Sequence, residues 1–88
     1  MKSATYTITN KMGIHARPAA DIAMLVGKHK SDVTIATATK KANGKSVLML
    51  TTLGAKNGTE VTLTVSGEDE EEVFTQLDDM FKNHFYED

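Results

Sequence analysis

The apolar residues of this 88-residue chain switch repeatedly between a period of two and a period near 3.6, and that switching limits the fold more than any single residue does. In the opening stretch ATYTITN, Ala4, Tyr6 and Ile8 alternate with threonines, the pattern of a half-buried strand built from good β-formers. From Ala16 onward, Ala19, Ile22, Ala23 and Val26 fall on one helical face, which closes near GKHK. DVTIAT alternates again through Val33 and Ile35, and KKANGKS reads as a short strand and turn. Val47, Leu50 and Leu53 then mark a short helix that Gly54 is placed to cap. KNG is a turn, and EVTLTVS sets Val61, Leu63 and Val65 on one strand face. The last segment, GEDEEEVFTQLDDMFKNHF, offers Asp69 as N-cap with Glu72 three residues on, a capping box. It leads a stripe of Val73, Leu77, Met80 and Phe81.

The order βαββαβα is an α+β pattern, in which amphipathic helices cover one face of a sheet and the other face meets water. The length fits one domain, residues 1–88, with room for a single modest core. With no cysteine, the chain has no disulfide framework, no thiolate metal site and no cysteine nucleophile. No apolar run approaches the roughly 18 residues needed to span a bilayer, and the first strand alternates where a secretion signal would be continuously apolar, so a cytoplasmic location is expected. Nine of the twelve acids lie beyond residue 67, while five of the ten bases (Lys28, Lys30, Lys40, Lys41, Lys45) lie between 28 and 45. That split suits either an electrostatic docking surface or a solvated acidic helix face. Only five aromatics are present, and they are scattered, so nothing matches the basic, aromatic stripe of a nucleic-acid binder.

GIHARPAA, Gly13 to Ala20, carries the chemistry. Pro18 is tolerated in a helix only in the first turn, so it fixes a helix start and puts His15 where loop becomes helix. A helix start directs unpaired N–H groups, here those of Ala16 and Arg17, and the positive end of its dipole at whatever sits before it. Positive potential from the dipole and Arg17 favours a neutral, nucleophilic imidazole that can accept a phosphoryl group. Once added, that dianion would meet backbone donors and a guanidinium that matches phosphate oxygens. Alone, a histidine at a helix start is most often a cap or surface residue. The combination of nucleophile, anion clamp and enforced helix start within four residues is what points to reversible phosphoryl transfer. His29 and His84 have no clamp and no ligand partner at a recognisable spacing, which assigns them to the surface and leaves no metal site or cofactor expected.

GIHARPAA resembles the active-site signature of the HPr family, the phosphocarriers of the phosphoenolpyruvate-dependent sugar phosphotransferase system. GKSVLMLTTLG resembles the family's second helix, and GTEVTLTVSGEDEEE resembles its last strand and the start of its last helix. The resemblance implies an open-faced β-sandwich, a four-stranded antiparallel sheet with three helices on one face. It implies that His15 takes a phosphoryl group on Nδ1 from phosphorylated enzyme I and passes it to IIA domains of sugar transporters. Arg17 and the amides of Ala16 and Arg17 would then hold the phosphate. Ser46 matches a serine modified by HPr kinase/phosphorylase, although a serine before Val47 is a good N-cap in any case. The implied docking patch comprises Ala20, Met24, Val47, Leu48 and Thr51, on a monomer that meets partners transiently and turns nothing over itself. Asp21 and Thr51 depart from common family residues, and DDMFKNHFYED resembles the ending of the nitrogen-related paralogues. A nitrogen-type IIA partner, or a regulatory binding module on the same fold, therefore stand as alternatives.

Overall fold

The computed structural model describes residues 1–86, so the final Glu87 and Asp88 of the acidic tail lie outside the described residues. Its elements are β1 (Lys2–Thr7), α1 (Ala16–Gly27), β2 (Asp32–Ala36), β3 (Lys41–Asn43), α2 (Val47–Thr52), β4 (Glu60–Ser66) and α3 (Glu70–Lys82), followed by one 3-10 turn, His84–Tyr86. The strands form one antiparallel sheet in the order β1-β4-β2-β3.

Strand alternation explains the two-layer arrangement. Val33 and Ile35 of β2 and Val61, Leu63 and Val65 of β4 all point to one face, where they are sealed by Ile22 and Val26 of α1, Leu50 of α2 and Val73 and Leu77 of α3. The intervening residues form the open face, where Ser3 pairs with Thr64 and Thr5 with Thr62, the latter two hydroxyls 3.3 Å apart. Threonine suits that face: its branched Cβ favours the strand and its hydroxyl tolerates water. At the β1 edge, Tyr6 stacks on Phe81 at 4.8 Å between ring centres, and its hydroxyl donates to Asp78 at 2.5 Å. Burial and that carboxylate push the Tyr6 phenol up, while the same bond pulls Asp78 down.

The start of α3 differs from the sequence reading. Asp69 occupies the N-cap position but makes no capping bond with its side chain. Its carboxylate is spent across the fold, accepting from the Ser31 hydroxyl (2.5 Å), the Ser31 amide (2.9 Å), the Lys30 amide (3.1 Å) and His29 Nδ1 (3.0 Å). The Ser31 hydroxyl first, then the Lys30 amide, hold the Asp69 carboxyl well below the usual carboxylate range. Glu70 closes the box instead, since the Gly67 amide donates to its Oε1 at 3.1 Å and the Glu70 amide donates to Gly67 O at 3.3 Å. The helix stops at Lys82, one residue past the end of the apolar stripe at Phe81. His84, Phe85 and Tyr86 all take positive φ, 54°, 56° and 58°. Each such residue costs about 1–2 kcal/mol. The turn is offset by burying Phe85 edge-on to Phe81 at 4.8 Å, and by the Tyr86 hydroxyl donating to Asp79.

Candidate functional site

The segment between β1 and α1 is short and tightly tied. The Gly13 amide donates to Asn10 O at 3.2 Å, and Asn10 Nδ2 donates to Gly13 O at 2.7 Å, so residues 10–13 form a closed turn. Gly13 has φ +67° and lies against the chain at Ala55, where an added Cβ would sit 2.1 Å from Ala55 O. Only glycine fits both the backbone angle and the space. Ile14, buried beneath, donates its amide to the same Ala55 carbonyl at 2.9 Å. The chain is therefore anchored one residue before His15.

His15 is the N-cap of α1, in extended conformation (φ −91°, ψ −166°), and its carbonyl accepts the first helical bond from the Ala19 amide at 3.0 Å. Its ring makes no capping bond and the residue is half-buried. Ala16 and Arg17, both exposed, carry the amides that precede the first intrahelical bond, and Pro18, buried as the third helical residue, supplies no N–H. The helix start inferred from the proline is thus where α1 begins. Arg17 lies two residues from the ring, in no ion pair among the described residues, on the face that continues through Ala20 and Met24.

The second helix, packed against α1, carries exposed apolar side chains of its own. Ser46 is the N-cap of α2, its hydroxyl oxygen accepting from the Met49 amide at 3.1 Å. Just after it, Leu48 is 73% exposed and Val47 41%, and Met24 of α1 is 60% exposed. Large apolar side chains left this bare are more than core packing explains. Ala20 and Thr51 are half-buried, and the Thr51 hydroxyl donates to Leu48 O at 2.9 Å. Sequence reading missed Met12, 67% exposed in the turn before His15, and Met49, 43% exposed beside β3. Met12 was legible in principle, because an apolar residue at the tip of a loop has no core to enter.

His29, read as a surface residue, is instead 15% exposed and paired with Asp69. The sequence offered no sign of this, because the partners are forty positions apart. His84 is exposed, as expected, with Nδ1 bonded to the Thr9 hydroxyl. Among the described residues no three histidines or carboxylates gather as a metal site, and no helix is long and apolar enough to cross a membrane.

Residues 2–83 match the family model described as the PTS HPr component phosphorylation site. A phosphocarrier protein HPr of Xylella fastidiosa (strain Temecula1) is 37% identical over 82 residues, 93% of this chain and 92% of the relative. The structure of HPr-C-His from Thermoanaerobacter tengcongensis superposes with a TM-score of 0.91 at 39% identity, covering 100% of this chain and 99% of that one. An HPr dimer from the same organism matches with a TM-score of 0.73 at 39% identity, over 97% of this chain and 98% of that one. The agreement runs from the first strand to the end of α3, so the scaffold as well as the histidine loop places this chain in the HPr family of the phosphotransferase system.

Proposed function

We propose that His15 is the phosphoryl acceptor of this phosphocarrier and that Arg17, with the Ala16 and Arg17 amides, receives the phosphate oxygens. The observation that carries the reading is the position of His15 as N-cap of a helix whose first donors are uncommitted within the helix and whose second residue is an exposed arginine. In the transfer, a ring-nitrogen lone pair forms the N–P bond as the bond from phosphorus to the donor on phosphorylated enzyme I breaks, and the proton on the other ring nitrogen stays in place. The protein supplies positioning and charge stabilisation, which is what phosphoryl transfer asks of it. Passing the group on reverses these steps, so the chain is a carrier and not a catalyst.

The proposed receivers are IIA domains of sugar transporters, supported by membership of the HPr family and by the bare side chains of Met24, Val47 and Leu48 on α1 and α2. Ser46 is the proposed regulatory position. A phosphate there would sit at a helix start, tolerated locally, and would bring negative charge onto the patch, repelling partners. We place the protein in the cytoplasm and read it as a monomer. Incubation with phosphoenolpyruvate and enzyme I tests the main claim: an acid-labile adduct forms on the wild type and is lost in His15→Ala. A wild type that takes up no phosphoryl group overturns it. Onward transfer to a nitrogen-type IIA domain and not to a sugar-type one would redirect the partner assignment.

A further inference from the structure

The loop that delivers His15 is held by the opposite segment, residues 55–59. Three of the ties are backbone to backbone: the Ile8 amide to Thr59 O at 2.8 Å, the Gly58 amide to Ile8 O at 2.7 Å, and the Ile14 amide to Ala55 O at 2.9 Å. Any side chains compatible with the turn would make these. The fourth depends on the side chain. Asn57 Nδ2 donates to Thr9 O at 3.0 Å and to Asn10 O at 3.4 Å, one hydrogen for each carbonyl. Both acceptors are carbonyls, so the amide nitrogen is the only atom of that side chain that can face them.

The two carbonyls stand at the base of the 10–13 turn, and Asn10 O also closes that turn by accepting from the Gly13 amide. Rotation of the 9–10 or 10–11 peptide would swing Gly13 and Ile14, and with them the orientation of His15 two residues later. Backbone ties at Ile8 and Ile14 fix the two ends of the loop; the Asn10 side chain closes its turn from within, His84 bonds Thr9, and Asn57 ties its middle to the opposite segment. We propose that Asn57 is a positioning residue for phosphoryl transfer at His15, its side-chain amide holding the turn that aims the imidazole; the proposal deepens, and rests on, the reading of His15 as acceptor. Asn57 itself is exposed and contacts no reacting atom, so its effect is on geometry alone.

The test uses Asn57→Asp, which keeps the shape but removes both N–H donors, together with Asn57→Ala and Asn57→Gln. In steady-state transfer from phosphorylated enzyme I, Asn57→Asp and Asn57→Ala lower kcat about 5- to 10-fold, because small misplacements of a reacting group carry costs of this order. KM stays unchanged, since the docking patch is untouched, and Asn57→Gln, which retains the donor on a longer arm, recovers part of the rate. Amide hydrogen exchange reads the brace independently of function. Gly13 and Ile14 exchange about 5-fold faster or more in Asn57→Asp, while the Val73 and Leu77 amides of α3 do not change. Transfer within twofold of wild type, a loss confined to KM, or unaltered loop exchange overturns the proposal. A wild type that accepts no phosphoryl group would instead overturn the acceptor reading, and loop exchange would still judge the brace.

Discussion

Replacing Gly13 with alanine tests whether the tie between the histidine loop and the chain at Ala55 is as tight as the geometry says. The residue sits at φ +67°, where a Cβ costs about 1–2 kcal/mol. The new Cβ would also lie 2.1 Å from Ala55 O, 2.7 Å from Lys56 Cα and 3.0 Å from Ala55 C, all backbone atoms that cannot turn aside. Relief requires a shift of about 1 Å between the two segments, enough to break the Ile14 amide bond to Ala55 O, now 2.9 Å. Losing that bond adds about 0.5–1.5 kcal/mol. The sum is about 1.5–3.5 kcal/mol, a large share of the total stability of a domain this size. In urea titrations, with a slope of about 1 kcal/mol per molar, the midpoint falls by about 1.5–3.5 M. Gly27→Ala is the control. Gly27 ends α1 with nothing within 4 Å of a built Cβ, so the substitution leaves stability unchanged or raises it by up to about 1 kcal/mol through helix propensity. A Gly13→Ala midpoint less than about 1 M below wild type would refute the reasoning, because neither the angle nor the contact would then be real constraints.

Ser46→Ala removes the α2 cap and costs about 1 kcal/mol in thermal or urea unfolding, with phosphoryl uptake at His15 retained. Leu48→Asp places a charge on the bare patch and raises KM for enzyme I at least about tenfold without lowering the melting temperature, as expected where 73% of the residue is already in water. Asp69 gives a pH signature. Its carboxyl is depressed in the folded state, so its contribution to stability is complete above the unfolded value of about 4 and is lost as the pH falls through the folded value. The gap between the melting temperatures of wild type and Asp69→Asn, measured from pH 7 down to pH 2, therefore begins to narrow near pH 4 and keeps narrowing as the pH falls; a constant gap would show that the charge is irrelevant.

Much of the fold was legible because its signals are local. The period-two runs through Val33, Ile35, Val61, Leu63 and Val65 became buried strand faces, and the 3.6-period stripes through Ile22, Val26, Val73 and Leu77 became the buried sides of α1 and α3. Pro18 fixed a helix start to within two residues, since its missing N–H has only a few permitted places. Ser46 as N-cap was also readable, a short polar side chain directly ahead of an apolar run. Local signals failed at Asp69, whose position within three residues of Glu72 fits a capping box equally well whether or not its carboxylate is engaged elsewhere. Here the competing donors from His29, Lys30 and Ser31, nearly forty residues away, outbid one helical amide. No periodicity encodes such a competition.

The same limit explains what the sequence could not say about His15. Its chemistry is written in eight consecutive residues, but its orientation is not. The loop before it is held by Ala55, Asn57, Gly58 and Thr59 from the far side of α2, and Thr9 is bonded in turn to His84 from beyond α3. Two stretches of chain, each unremarkable alone, converge on seven residues of loop. Such convergence has a physical purpose in a carrier that must release what it accepts. A site that bound phosphate through flexible donors would lose entropy each time it was loaded, whereas a pre-set loop meets the group with its donors already in place. The rigidity is therefore put in the backbone and in exposed side chains such as Asn57, while the proposed docking residues Met24 and Leu48 are exposed and adaptable. One face of this small domain separates the two demands: a fixed geometry for the chemistry and a compliant surface for successive partners.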